Sequence, residues 1–149
     1  MCGTNVIKPK GIIDRNITLI MNKTILIAGA VLGILGIILG AFAAHGLEKL
    51  VDADAVRSFE TGVRYQIYHA FFLLILGSTS FVSLKSKKII LYLVFFGLVF
   101  FSGSIYGLAT NALTGFNFKS IAMITPVGGL SLIMAWVIML IGILKTKVD

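Results

Sequence analysis

Few side chains of this chain could carry out chemistry, and they fall in three short stretches. His45 and His69 are its only histidines, and imidazoles from two helices can ligate a haem or a metal ion. A serine such as Ser102 could act as a nucleophile, with His69 as its base and Glu60 as the orienting acid. The candidate polar cluster comprises His45, Glu60, Arg64, Tyr65, Gln66, Tyr68, His69, Ser102, Ser104 and Tyr106.

Each catalytic interpretation has a plainer structural one. Serines in membrane helices usually donate to a backbone carbonyl or to a neighbouring helix, and the sequence contains neither G-x-S-x-G nor H-E-x-x-H. The sequence shows no evident group that would orient either histidine as a ligand by accepting its other ring N–H. Haem or metal binding is therefore an alternative. We therefore assign no catalytic residue and expect neither a resident metal nor a cofactor; enzymatic activity is left open but not favoured.

Binding of an amphiphile is the chemistry that the cluster fits best. Arg64 with Tyr65 and Tyr68 could receive an anionic lipid head group or a small amphiphile, although the same tyrosines could simply form an aromatic belt at the membrane boundary. We favour a binding or accessory membrane protein with a polar site in the outer leaflet. The alternative is a small transporter or channel whose pore forms between copies of the chain.

The elements that must position these residues are membrane helices. Hydrophobic residues make up 58% of the 149 and charged residues 13%, where a soluble domain carries about 25% charged residues. A bilayer core about 30 Å thick needs ~20 apolar helical residues, and four such stretches lie at about 24–44, 65–84, 89–109 and 121–144. The fold prediction is an all-α, four-helix transmembrane bundle.

The charge pattern predicts the orientation. The net charge is +7, but the basic residues lie between the apolar stretches, which excludes a nucleic-acid surface. Nine of them flank one side of the predicted bundle and four the other. The positive-inside rule then places both termini in the cytoplasm, as an even number of spans also requires.

A segment between the first two spans has an amphipathic pattern. Asp52 or Asp54 can cap a helix beginning near Ala53, whose polar face would carry Glu60 and Arg64 four residues apart. We expect a short interfacial helix that continues into the second span, with Glu60 and Arg64 paired. Folding the chain this way brings the polar residues, including both histidines, to similar depth in the outer half, and leaves the inner half as apolar packing.

Glycines at helical spacing predict close helix contacts. The first helix carries Gly29, Gly33, Gly36 and Gly40, and the third carries Gly103 and Gly107. Such small-xxx-small patterns let helix backbones approach in lipid. Two interpretations follow, namely packing within one bundle or homo-oligomerisation through the first helix. Pro126 belongs either to the first turn of the fourth helix or to a kink within it.

Four ordered blocks carry a resemblance to a known family. They are Gly40–Leu47 (GAFAAHGL), Phe59–His69 (FETGVRYQIYH), Phe101–Tyr106 (FSGSIY) and Thr125–Gly129 (TPVGG). In these blocks the chain resembles the domain-of-unknown-function 423 family of small bacterial inner-membrane proteins, whose eukaryotic relatives include transmembrane protein 256. Ala43 stands where the family usually has glycine. The resemblance implies a four-span protein of the bacterial cytoplasmic membrane and supplies no activity.

The composition along the chain divides it into two parts. Residues 21–149 form the four-span domain, and residues 1–20 form an N-terminal extension of mixed composition. Met21-Asn22-Lys23, directly before the first apolar stretch, is a complete start for a membrane protein. We expect Met21 to be the physiological start of translation.

Overall fold

A computed structural model describes residues 10–114, 118 and 122–146, and the regular structure in these ranges is entirely helical. The helices are α1 (Lys10–His45), α2 (Ala53–Ser78), α3 (Leu84–Leu98), α4 (Ser104–Ala109) and α5 (Ile124–Lys145). A five-residue π-helix, Val99–Gly103, joins α3 to α4. Short 3₁₀ turns lie at Leu47–Lys49 and Asn111–Leu113. The first nine residues of the N-terminal extension lie outside the described ranges.

Three helical stretches are long and apolar enough to cross a membrane. They are Asp14–Lys49, Leu84–Ala109 and Ile124–Lys145. α2 is not among them, because charged and polar side chains keep its hydropathy low. It nevertheless packs against α1 on one side and against α3 and α4 on the other, while α5 packs against α3. The chain is therefore an all-helical membrane protein of four long helices.

The ends of the helices follow local chemistry. The Asp52 side chain accepts a hydrogen bond from the Ala55 backbone N–H (2.8 Å) and caps α2. Ser83 accepts from Ser86 N–H (3.2 Å) and caps α3. The amphipathic segment and the predicted second span consequently form one helix, which ends at Ser78 rather than at residue 84. Pro126 lies in the first turn of α5, where its missing N–H costs no intrahelical bond.

Glycines bring α1 against α2. A Cβ on Gly29 would lie 2.9 Å from the Ala70 carbonyl oxygen, and one on Gly36 would lie 2.5 Å from Ile67 Cδ1. The glycine face of α1 is thus occupied by α2 of the same chain. This contact favours the bundle-packing interpretation of the glycine spacing.

The buried apolar side chains form two clusters. The larger one joins α1, α2, α3 and α5 around Phe72, Leu76, Val94 and Leu132. The smaller one joins the end of α1 to α2 and α4 around Ala43, Leu47 and Phe59. Large apolar side chains on the outer faces of all four long helices stay exposed, as expected where lipid replaces water.

Candidate functional site

The ten predicted site residues separate into two groups. Gln66, His69, Ser102 and Ser104 are buried and Tyr106 is half-buried, and we call these five residues the interior network. His45, Glu60, Arg64, Tyr65 and Tyr68 are exposed. Glu60, Arg64 and Tyr68 line one pocket on α2, and we call these three the outer patch. The predicted cluster therefore separates into an interior network and an outer patch, and His45 and Tyr65 belong to neither.

Gln66 is the hub of the interior network. Its Nε2 donates to the Leu32 carbonyl of α1 (2.9 Å), and its Oε1 accepts from the Tyr106 hydroxyl (2.9 Å). The Ser102 hydroxyl donates to the Gly62 carbonyl of α2 (2.9 Å). These three bonds tie α1, α2, the π-helix and α4 together where no water competes for the groups.

Backbone geometry makes the contacts of this network possible. Gly62 has no side chain, and a Cβ there would lie 2.6 Å from Tyr106 Cε1, so the tyrosine ring packs closely against the α2 backbone. Ser104 Oγ lies 2.9 Å from the Phe101 carbonyl oxygen and 2.6 Å from Thr125 Oγ1. Ser104, the first residue of α4, thereby links the end of the π-helix to the first turn of α5.

His69 uses both ring nitrogens. Nδ1 lies 2.8 Å from the Tyr65 carbonyl oxygen, and Nε2 accepts from Trp136 Nε1–H (3.3 Å). Because a carbonyl oxygen only accepts, Nδ1 carries the proton and the lone pair of Nε2 points at the indole. Neither nitrogen is free to ligate a metal ion or a haem in this arrangement.

The prediction that His45 and His69 lie at similar depth is wrong. α1 and α2 are antiparallel, and Gly36 faces Ile67 while Leu26 faces Gly77. This register places His69 about eleven residues from the level of His45, or about 16 Å along the helix axis. In the part of the chain that the structure describes, no group of three His, Cys, Asp or Glu residues could hold a metal ion.

The outer patch differs from the expectation in its pairing. Among the described residues the one ion pair joins Arg57 to Asp54, so the predicted Glu60–Arg64 pair does not form. Both charged groups instead line a pocket of about 360 Å³ together with Val63, Ile67 and Tyr68. Tyr65 points elsewhere, with its ring centroid 4.6 Å from that of Phe101.

An apolar groove adjoins the outer patch. It lies between α1 and α2, has a volume of about 370 Å³, and is lined by residues such as Gly33, Ile37, Ala70 and Leu74. Ile67 lines both this groove and the charged pocket. Gly29 and Gly33 of α1 also line the groove, and neither projects a side chain into it. A polar pocket and an apolar groove thus meet on the surface of α2.

A polar contact at the opposite end of the bundle was not predicted. Lys87 is only 3% exposed, and its Nζ donates to Asn22 Oδ1 (2.8 Å) and to the Thr79 carbonyl (2.6 Å). The expectation of purely apolar packing in that half is therefore wrong. The helical spacing of the sequence could have predicted this burial, because Lys87, Ile90 and Val94 lie on the same face of α3, which packs into the core.

The chain matches a known protein family over the segment that contains the predicted site residues. A family model described as a protein of unknown function (DUF423) matches residues 39–129, a stretch that contains all ten predicted site residues. The chain is 37% identical over 123 residues to a UPF0382 membrane protein of Staphylococcus saprophyticus, covering 83% of this chain and 98% of that protein. No solved structure matches the chain.

Two further relatives come from other bacteria. The UPF0382 membrane protein YwdK of Bacillus subtilis is 33% identical over 125 residues, which is 83% of this chain and 98% of that protein. The UPF0382 inner membrane protein YgdD of Escherichia coli is 35% identical over 131 residues, which is 85% of this chain and 93% of that protein. Each alignment covers nearly the whole length of the relative.

Proposed function

This chain belongs to the DUF423 family of bacterial membrane proteins, and we propose that it is a binding or accessory protein that holds a lipid or similar amphiphile at the outer patch. An amphiphile carries a polar head and an apolar chain on one molecule. The observation that supports this proposal is the contact, through Ile67, of the charged pocket with the apolar groove. One ligand can fill both.

The charges of the outer patch fit a phosphate-bearing head group. Arg64 presents a guanidinium that suits a phosphate oxygen pair, and no ion pair among the described residues occupies it. Glu60 lies one turn away and would receive an amine of the same head group. A charged side chain is costly where lipid surrounds it. A head group with a phosphate and an amine would therefore stabilise both Arg64 and Glu60.

The interior network supports binding rather than conduction. Every buried polar side-chain atom in the described ranges has a hydrogen-bond partner, so one copy offers no open row of polar groups for an ion or a proton to follow. The glycine face of α1 packs against α2, which removes the main sequence argument for assembly through that helix. The transporter alternative, which needs a pore between copies, gains no support from this glycine face.

Native mass spectrometry of the full chain, extracted gently from its own membrane, tests the proposal. We expect bound lipid on the wild-type chain and about tenfold less retention in Arg64→Gln, equivalent to about 1.4 kcal/mol of binding free energy. Arg57→Gln is the matched control, because Arg57 is an exposed arginine of the same helix that is paired with Asp54. Equal retention in all three proteins would overturn the proposal.

The lipid itself is identified by adding defined vesicles. Phosphatidylglycerol offers a phosphate alone, whereas phosphatidylethanolamine adds an amine for Glu60. A preference for phosphatidylethanolamine that disappears in Glu60→Gln assigns the amine contact. Equal binding of both lipids limits recognition to the phosphate at Arg64.

The proposal includes an orientation in the bacterial cytoplasmic membrane. The lysine-rich end, with Lys85 and Lys88, faces the cytoplasm, and the outer patch faces outward. Single cysteines in a Cys2→Ser background, at exposed Ala112 and at exposed Lys88, test it. We expect an impermeant thiol reagent applied to intact cells to label the Ala112→Cys variant and not the Lys88→Cys variant; the reverse pattern contradicts the orientation.

A further inference from the structure

A second pocket opens at the interior network, away from the outer patch. It has a volume of about 200 Å³ and lies among α1, α2 and the π-helix. Its lining includes Leu32, Gln66, Phe95, Ser102, Gly103 and Tyr106. None of its described lining residues carries a charge. The pocket therefore suits an uncharged ligand.

The polar groups of this pocket keep spare hydrogen-bonding capacity. Gln66 is 6% exposed and Ser102 is 1% exposed. The Gln66 amide has two N–H groups, and Leu32 accepts from one of them. Ser102 and Tyr106 already donate their hydroxyl protons within the protein. The pocket thus offers one donor, the second N–H of the Gln66 amide, to a carbonyl oxygen of a ligand.

Gly103 lines the pocket, although close packing does not require a glycine at this position. A Cβ there would meet, among the described residues, only the Leu98 carbonyl oxygen at an unstrained 3.8 Å. In contrast, a Cβ on Gly97 or Gly107 in the same membrane-crossing segment would lie 2.5 Å from a neighbouring side chain. The backbone of Gly103 is ordinary right-handed helix (φ −62°, ψ −43°). Glycine weakens a helix relative to alanine, and π-helices often occur at functional sites.

The depth of the pocket narrows the class of ligand. Leu32 lies thirteen residues before His45 and ten after Asn22, about 20 Å and 15 Å along α1. The pocket is therefore near the middle of the bilayer core. Ester carbonyls of glycerolipids sit at the boundary of that core, so they do not reach this depth.

We propose that this pocket binds the ring of a neutral, carbonyl-bearing lipid of the quinone type. The ring carbonyl accepts the free N–H of Gln66, the ring lies beside Phe95 and Gly103, and the apolar tail remains in the bilayer. Pockets for drug-sized ligands measure about 300–1,000 Å³, and the smaller volume here fits a single ring. The proposal does not depend on the outer patch.

Infrared spectroscopy of the full chain in lipid nanodiscs tests this site. The probe is a quinone lipid labelled with ¹³C at its ring carbonyls. We expect the carbonyl band to shift to lower frequency with the wild-type chain, because it accepts a hydrogen bond, and the shift to be lost with Gln66→Leu. Gly103→Leu fills the pocket and should weaken binding about tenfold or more.

Matched variants separate the site from folding and from the outer patch. Gly103→Ala is compared with Gly40→Ala, whose Cβ meets Val63 Cγ1 at an ordinary 3.5 Å; only the first should weaken quinone binding. Thermal unfolding confirms that each variant is folded. Arg64→Gln should bind the quinone as the wild-type chain does, so failure of the phospholipid proposal leaves this one standing.

Three results would overturn the inference. One is an unchanged carbonyl shift with a folded Gly103→Leu chain, because the ring would then bind elsewhere. Another is the absence of a shift with the quinone. In a parallel sample, a shift with a phospholipid labelled at its ester carbonyls would assign the pocket to glycerolipids and overturn the quinone assignment.

Discussion

The interior network and the outer patch both include polar residues of α2, yet the surroundings of these residues differ. Gln66 and His69 face other helices, and each has two defined partners. Glu60 and Arg64, within three turns of them, face outward and form no ion pair among the described residues. In lipid, a polar group with fixed protein partners holds helices together. A polar group without them is available to a ligand.

The largest expected effect breaks the scaffold that positions the interior network. A Cβ on Gly128 would lie 2.8 Å from the Gly97 carbonyl oxygen and closer still to the Phe101 backbone N, and neither backbone can move aside. We expect Gly128→Ala to lower the free energy of unfolding by about 3 kcal/mol. Gly129→Ala is the control, since its Cβ would meet only the Phe101 ring at 3.5 Å. Equal stabilities in reversible detergent unfolding would contradict the close contact.

A smaller effect removes the hub of the interior network. Gln66→Leu keeps the size of the side chain but loses the bonds to Leu32 and Tyr106. It leaves the Tyr106 hydroxyl without its acceptor, and we expect a loss of about 2 kcal/mol in the free energy of unfolding. A double-mutant cycle with Tyr106→Phe should recover part of this loss. Strict additivity of the two changes would show that the pair is not coupled.

The link between α2 and α5 should contribute less. Trp136→Phe removes the N–H that donates to His69 Nε2 while keeping an aromatic ring against Phe72. Single hydrogen bonds between membrane helices contribute about 0.6 kcal/mol, and we expect a loss of that order in the free energy of unfolding. His69→Phe in the Trp136→Phe background tests whether the two residues act together. A loss well above 2 kcal/mol for Trp136→Phe alone would mean that packing, and not the hydrogen bond, holds this contact.

The smallest effect on stability belongs to the outer patch. Arg64→Ala should change the free energy of unfolding by no more than about 0.5 kcal/mol, because the side chain is exposed and contacts no carboxylate in the described ranges. The same variant should lose bound lipid, as argued for Arg64→Gln. A loss of stability as large as that of Gln66→Leu would move Arg64 from the binding site to the scaffold and would remove the distinction between the two regions.

Hydropathy and residue type were enough to predict the membrane assignment and the all-helical fold. Both depend on sums over about twenty neighbouring residues, which do not require knowledge of the helix partners. The glycine spacing of α1 and the four family blocks were likewise readable in the chain, and the family membership is confirmed. The continuation of the amphipathic segment into the second span was also predicted, and only the end of α2 differs, at Ser78 rather than at residue 84.

The sequence did not predict which residues of neighbouring helices lie opposite each other. The antiparallel register of α1 and α2 decided that His45 and His69 lie about 16 Å apart along the axis, although the chain order suggested similar depth. The same register aimed Gln66 at Leu32 and left Arg64 at the surface. Lys87 is a second example. The sequence analysis used this residue only as a basic charge that indicates orientation, whereas in the structure it is buried and donates hydrogen bonds to Asn22 and Thr79.

The sequence by itself thus determined which segments enter the membrane and which residue types could bind a ligand. Only the tertiary structure decided which of those polar groups are used up by the fold and which remain available. The physical reason is that the membrane preference of a segment is a local sum of transfer free energies. The partner of a hydrogen bond, in contrast, depends on the relative position of two helices that lie tens of residues apart in the chain.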